Sequence, residues 1–144
     1  MSDVEQLYNL LKESFFLLDD GDRQLFGMYD LSSPRYYALS HIAAEPGLSL
    51  SQLSDYMFCD KSNITRIIRG LERDGYLERR PHETDGRSLR LYLTEKGTAV
   101  YQTVAAAHQA SIQQRLHQLG QPEQQQLETQ LNSLNTALRT LLHG

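Results

Sequence analysis

Residues 60–75 form the segment that most constrains what this chain can fold into. Ile64, Ile67, Ile68 and Leu71 follow the spacing i, i+3, i+4, i+7, which places four apolar side chains on one face of an α-helix. Asp60 is a good N-cap residue, and Gly75 suits the position after the last turn. Polar and basic side chains occupy the opposite face. The segment therefore predicts an amphipathic helix with one buried face and one basic face.

A short helix and a tight turn are predicted before this segment, and a β-hairpin after it. Ser49 and Gln52 have the spacing of a capping box, followed by a short helix that buries Leu53 and Met57 and a turn at residues 58–60. After Gly75 the period changes: residues 76–80 and 89–93 favour strands, and turn-forming residues separate them. The order of helix, turn, helix and hairpin predicts a winged helix-turn-helix.

Long helical patterns flank this core. A first helix is predicted over about residues 3–20, broken at Asp19-Asp20-Gly21-Asp22, and Ser33-Pro34 starts a second, with Ser33 as N-cap. Thr94 caps a helix to about Leu119, and the last helix carries leucines at heptad spacing. The expected fold class is mainly α with a small β-hairpin wing, in a single domain over residues 1–144. Its winged core spans about 33–93, and its dimerisation helices span about 3–20 and 95–143.

Charge is distributed unevenly along the chain. The net charge is −4, yet residues 60–90 carry eight basic and six acidic residues, whereas the remainder carries six basic and twelve acidic ones. A locally basic segment in an acidic chain suits contact with a polyanion.

Several classes of function lack a sequence signature here. There is no Gly-rich phosphate loop, nucleophile elbow or metal-ligand spacing, so we expect no enzyme, no cofactor and no metal. The single cysteine, Cys59, has no partner for an internal disulfide, and we interpret it as a buried, inert thiol. With no signal-peptide pattern and no apolar run long enough for a membrane span, a cytoplasmic location is expected.

Three motifs resemble the MarR family of multiple-antibiotic-resistance regulators. The stretch from Ser62 to Leu77 is similar to that family's recognition helix and following strand, Asp85-Gly86-Arg87-Ser88 to its wing signature, and residues 93–97 (Leu-Thr-Glu-Lys-Gly) to the start of its fifth helix. The middle position of the wing signature is often Arg or Lys in the family and is Gly86 here, which removes one possible phosphate contact.

The resemblance implies a regulator that binds double-stranded DNA at a pseudo-palindromic operator. It implies that Thr65, Arg66 and Arg69 face the major groove and that Arg87, braced by Asp85, enters the minor groove. The full set of predicted DNA-binding residues is Lys61, Ser62, Asn63, Thr65, Arg66, Arg69, Arg73, Asp85, Arg87 and Arg90. Arg79 and Arg80 begin the wing and are expected to pair with Glu78 or Glu83.

The resemblance also implies a homodimer and a means of release. Family members interdigitate their terminal helices, and the apolar stripes at both ends of this chain favour the same. Many act as repressors that a small aromatic ligand releases, for which Phe16, Tyr37 and His41 are candidate lining residues. Two alternatives stay open: a winged helix used only for protein interaction, and a redox-sensing regulator that uses Cys59.

Overall fold

The computed structural model describes residues 2–81 and 89–144. Within these residues the chain forms six helices and a three-stranded sheet. In chain order the elements are α1 (Asp3–Gly27), α2 (Ser33–Ala44), β1 (Leu48–Ser49), α3 (Leu50–Tyr56), α4 (Lys61–Arg73), β2 (Leu77–Pro81), β3 (Leu89–Leu93), α5 (Glu95–Leu116) and α6 (Gln121–His143). The predicted fold class, a mainly helical winged helix-turn-helix with flanking long helices, is confirmed.

The core is built around α2, α3, α4 and the sheet, and Phe26 of α1 and Val104 of α5 join it. All four apolar residues that define the predicted face of α4 are buried. Leu39, Leu53 and Leu91 are completely buried in the same core cluster. Because α4 buries one face only, its other face is left for contacts outside the fold. The remaining buried core residues are Phe26, Leu31, Tyr36, Ala38, Ile42, Leu48, Leu77 and Val104.

The sheet contains one strand that the sequence did not predict. β3 is its centre, with β2 on one side in the register Leu77↔Leu93 and β1 on the other in the register Leu48↔Leu91, both antiparallel. β1 has only two residues, too few for a period-2 pattern. Its pairing closes the outer edge of the hairpin and buries Leu48.

The predicted end of the first helix near residue 20 is wrong. α1 continues through Gly21 to Gly27, because the acidic residues expected to break it have partners one turn later. Arg23 Nε donates to Asp19 Oδ2 at 3.0 Å, and Gln24 Nε2 donates to Asp20 Oδ2 at 3.1 Å. The extra length places Phe26 in the core.

Most predicted helix boundaries hold to within a residue or two. Ser49 and Gln52 form the capping box, Asp60 caps α4, and Thr94 Oγ1 accepts from the Gly97 backbone N–H at 3.0 Å. The N-cap of α2 is Ser32 and not Ser33, because the Ser32 hydroxyl accepts from the Arg35 backbone N–H. α5 ends at Leu116 and not Leu119.

The chain divides into two compact units, Met1–Ala107 and His108–Gly144. The first holds the winged core. The second holds the end of α5 and all of α6, and Gln124 Nε2 closes the turn between them by donating to the carbonyls of Leu116 and Leu119 at 3.2 and 2.9 Å. No residue of α6 is buried. Among the described residues, no helix has the length and apolar character needed to cross a membrane.

Candidate nucleic-acid interface

The outward face of α4 is the most basic surface that a single described helix presents in the first unit. Lys61, Ser62, Arg66, Arg69 and Arg73 are exposed, and Asn63 and Thr65 are half-buried. The helix holds these side chains outward because its isoleucines and Leu71 anchor the opposite face in the core. A rigid helix that presents arginine forks suits hydrogen bonding to guanine O6 and N7 or to phosphate.

The N-terminus of α4 is closed by a tight set of hydrogen bonds. Asp60 Oδ1 accepts from the Asn63 backbone N–H at 2.8 Å and from the Ser62 hydroxyl at 2.8 Å. These two hydrogen bonds, with the positive charge of Arg66, hold the pKa of the Asp60 carboxyl below its usual range. The cap therefore stays ionised at neutral pH and fixes the end of the helix that would lead into a groove.

Asn63 uses its side chain within the protein. Its Nδ2 donates to Cys59 Sγ at 2.8 Å, and its Oδ1 accepts from Arg66 Nη2 at 2.5 Å. The Thr65 hydroxyl likewise donates to the Lys61 carbonyl at 2.8 Å. Asn63 therefore orients Arg66 along the helix and also packs on the thiol of the preceding turn.

The turn between α3 and α4 has an unusual backbone. Phe58 has φ of +51°, a left-handed conformation that a bulky residue seldom adopts, and its side chain is 70% exposed. The Ser54 hydroxyl donates to the Cys59 carbonyl and ties the turn to α3. Cys59 is half-buried, and its thiol is therefore more accessible than the buried thiol that was predicted.

Ion pairs fix the back of α4 and the start of the hairpin. Arg35 Nη1 lies 2.9 Å from Asp74 Oδ2, and Arg79 Nη2 lies 2.8 Å from Glu72 Oε1. Arg79 thus pairs with Glu72 of α4, a partner that was not predicted, whereas Glu83 lies outside the described residues. These contacts set the position of the sheet against α4.

The two hairpin strands place two arginines on the same face of the sheet. Arg80 lies directly opposite Arg90 in the register of β2 and β3, and Arg80 pairs with Glu78 as predicted. Arg80 was not predicted to lie opposite Arg90. The period-2 alternation of the two strands, which places positions 78, 80, 90 and 92 on one face, would have revealed the pair. Asp85 and Arg87 lie outside the described residues.

The three candidate ligand residues have separate surroundings. The Phe16 side chain is 57% exposed and its ring packs against Phe15 at 5.8 Å. The Tyr37 hydroxyl donates to Asp22 Oδ2 at 2.6 Å, and the His41 ring stacks on Tyr56 at 5.5 Å.

An aromatic cluster adjoins Tyr37. The Tyr36 ring stacks on Phe26 with centroids 4.2 Å apart and on Tyr101 at 5.8 Å. Burial, with smaller contributions from Tyr101 and Asp22, raises the pKa of Tyr36 to about 12. Tyr36 therefore serves as an uncharged core residue.

A cavity of about 360 Å³ lies elsewhere in the first unit, and its size is within the range of small-molecule sites. Its walls combine apolar carbons with hydroxyl, amide and guanidinium groups. The lining residues are Ile42, Ala43, Pro46, Arg80, Tyr92, Leu93, Thr98, Tyr101 and Gln102. In the described part of the chain, no three His, Cys, Asp or Glu residues cluster as metal ligands would.

Comparison with known proteins gives a consistent set of matches. Residues 29–88 match the sequence profile of the MarR family. The chain is 36% identical over 72 residues to the HTH-type transcriptional regulator BilQ of Clostridioides difficile, an alignment covering 50% of this chain and 49% of BilQ. The chain spans about half or less of the curated relatives that it matches.

Two solved structures share the whole fold. A MarR-like transcription regulator from Bacillus cereus superposes with a TM-score of 0.85 at 25% identity, covering 94% of this chain and 98% of that one. Streptococcus pneumoniae FabT, crystallised in complex with DNA, superposes with a TM-score of 0.82 at 25% identity, covering 96% and 99%.

Proposed function

Since this chain belongs to the MarR family, we propose that it is a sequence-specific DNA-binding transcriptional regulator that acts as a repressor in the cytoplasm. The observation that carries the proposal is α4, a helix with a completely packed apolar face and an exposed face that presents Lys61, Arg66 and Arg69. In helix-turn-helix proteins the second helix of the motif enters the major groove with its N-terminal residues at the base edges.

The residues divide by the part of DNA that each would contact. Arg66 and Arg69, with Thr65, read base edges. Lys61 and Ser62 lie at the N-terminus of α4, where the positive end of the helix dipole also attracts a phosphate. Asn63 positions Arg66 through its 2.5 Å hydrogen bond. Arg73 at the end of α4 and Arg90 on β3 add phosphate contacts. Asp85 and Arg87 are proposed as the minor-groove finger on the strength of the wing signature alone.

The working form is proposed to be a homodimer on a pseudo-palindromic operator. In the first unit, the α1 side chains of Val4, Leu7 and Phe15 are 76%, 58% and 58% exposed. Exposed apolar surface of this kind marks a protein–protein contact. In the second unit, α6 exposes leucines at heptad spacing. Two-fold symmetry then sets the half-sites about one helical turn, roughly 10 base pairs, apart.

Fluorescence anisotropy with the DNA upstream of the protein's own gene tests this proposal. Arg66→Ala or Arg69→Ala should weaken binding by about 1–3 kcal/mol if the guanidinium is bidentate to guanine, and the affinity of the parent should fall steeply with salt. Arg139→Ala removes the same charge from α6, a helix of the second unit, and should bind like the parent. Equal affinity of all four proteins would refute the assignment of the α4 face, and no DNA binding by the parent would favour a winged helix used for protein interaction.

Release by a small apolar or aromatic ligand is the regulatory part of the proposal. Tyr37, His41 and Phe16 stay predictions as ligand contacts, and the cavity walled by Tyr92 and Tyr101 is one volume in the first unit of a size that suits such a ligand. The competing signal is oxidation of Cys59. Cys59→Ser should bind DNA like the parent in peroxide, and phenolic acids should release both. Release of the parent alone by peroxide would favour the redox alternative.

A further inference from the structure

We propose that Arg80 and Arg90 together bind one DNA backbone phosphate at the base of the hairpin. The inference rests on the proposed DNA binding and adds to it a residue pair that reads no sequence. It starts from the register, in which the two arginines are direct partners across β2 and β3. Partners in an antiparallel ladder share a face, with Cβ atoms about 4.5–5.5 Å apart.

Two like charges in direct opposition destabilise a sheet, so the pair needs an anion or a screening partner. Glu78 serves Arg80 in part: Arg80 Nε donates to Glu78 Oε1 at 2.9 Å, and Nη2 donates to the same oxygen. The Arg80 guanidinium also lies over the Tyr92 ring, with Cζ 4.3 Å from the centroid. These contacts orient the fork, and since the described residues give Nη1 no acceptor, it remains for an acceptor supplied by DNA.

Arg90 is the less satisfied member of the pair. Its Nε is shielded from solvent and has no hydrogen-bond acceptor within the part of the chain that the structure describes. A shielded guanidinium nitrogen without an acceptor is costly, and such groups in native proteins commonly meet a water, an ion or a ligand. An anion held between the two side chains would supply the missing acceptors.

The place of the pair in the fold favours a DNA phosphate over a free anion. β2 follows α4 after three residues, and the pair lies one register step before Pro81 and Leu89, the described ends of the hairpin that carries the wing signature. A duplex contacted by both α4 and the wing would therefore carry its backbone past the pair. Guanidinium forks match phosphate geometry in a bidentate manner, and two forks on one phosphate would hold the base of the hairpin in register with the helix.

The salt dependence of DNA binding tests the pair, with Arg79 as the matched control. Arg79→Ala removes the same charge from the neighbouring position, whose side chain pairs with α4 on the other face of the strand. Arg80→Ala and Arg90→Ala should each weaken binding about tenfold, by the same factor on the upstream DNA and on an unrelated duplex. The slope of log K against log salt should fall by about one, whereas Arg79→Ala should keep the parental slope.

The double variant tests whether the two arginines share one phosphate. Arg80→Ala/Arg90→Ala should lower the slope by about one and not two, because the single phosphate is already lost in each single variant. Thermal melts check that the variants are folded, since the exposed Glu78 pair of Arg80 contributes little to stability. An unchanged slope in Arg80→Ala would overturn the inference, as would a loss confined to one DNA sequence or an equal loss in Arg79→Ala.

A titration with inorganic phosphate separates DNA from a free anion as the occupant. The side-chain Nε–H signals of Arg80 and Arg90 should shift with DNA at micromolar concentration and stay unmoved by millimolar inorganic phosphate. A shift with phosphate and none with DNA would overturn the inference in favour of a free-anion site. If Arg66→Ala weakens binding and Arg80→Ala does not, only this inference fails. If the parent binds no DNA, the proposed function fails as well.

Discussion

At the scale of single residues, two glycines in helices have opposite surroundings. A Cβ on Gly97 would lie 1.9 Å from the Tyr76 carbonyl oxygen, whereas a Cβ on Gly27 would meet nothing within 4 Å. Gly97→Ala must push the first turn of α5 away from the start of β2, and we expect a loss of about 1–3 kcal/mol in the free energy of unfolding. Gly27→Ala, the control, should raise the free energy of unfolding by up to about 1 kcal/mol. Urea unfolding measures both, and a neutral Gly97→Ala would contradict the close approach.

Phe58 stores strain in the turn before α4. Its φ of +51° costs a residue with a Cβ about 1–2 kcal/mol. Glycine would remove this strain, but it loses more chain entropy on folding, which offsets part of the gain. Phe58→Gly should therefore raise the free energy of unfolding by about 0.5–1 kcal/mol. Phe58→Ala removes the ring and keeps the Cβ, so it should not stabilise the protein. Equal stabilisation by the two substitutions in urea would show that the ring, and not the backbone, is the cause.

The residues that the sequence could predict are those whose contacts are local. The caps Ser49, Asp60 and Thr94 bond to backbone groups three residues away, so short sequence patterns suffice to find them. The pairing of Arg79 with Glu72 depends on how the sheet meets α4. No spacing in the sequence encodes that angle, so this contact had to be observed, whereas the position of Arg80 opposite Arg90 follows from the hairpin register.

At the scale of elements, a buried carboxylate joins α1 to α2. Asp22 is 8% exposed and accepts from the Tyr37 hydroxyl at 2.6 Å. Tyr37→Phe removes a donor from a buried charge and should cost about 1–3 kcal/mol of unfolding free energy. Tyr56→Phe is the matched control, because its hydroxyl donates to the exposed Glu45 at 2.9 Å, and it should cost less than about 0.5 kcal/mol. Similar losses in both variants would show that the burial of Asp22 does not strengthen its hydrogen bond with Tyr37.

The same contact explains why the first helix exceeded its predicted length. Asp, Asp, Gly and Asp in succession indicate a break by local preference, and that preference was the basis of the prediction. Partners at Arg23, Gln24 and Tyr37 reverse it. The two-residue strand β1 escaped prediction for a similar reason, since it exists only through its pairing with β3. Elements with a long apolar period, such as α4, were predictable because the residues at that period are the ones that pack into the core.

At the scale of the whole molecule, the apolar surface of α6 is the feature that the chain alone leaves unexplained. Leu127, Leu131 and Leu138 are 41%, 36% and 41% exposed, and they repeat at the heptad spacing that builds helix–helix seams. In a homodimer these side chains leave water, which is worth about 25 cal/mol per Å² of apolar surface. Leu127→Glu/Leu131→Glu places two charges in that seam, so we expect monomers or a sharply weakened dimer by light scattering coupled to size exclusion.

The control for this seam is a pair of acidic substitutions on the same helix at positions that are polar already. Gln125→Glu/Thr129→Glu adds the same charge at the same i, i+4 spacing, where Thr129 Oγ1 only donates to the Gln125 carbonyl at 3.0 Å. That protein should remain dimeric and bind DNA like the parent. If the proposed dimer presents two α4 helices to two half-sites, the leucine variant should also lose the preference for DNA with two half-sites. A leucine variant that stays dimeric would place the dimer contact elsewhere, with the exposed apolar side chains of α1 as the next surface to substitute.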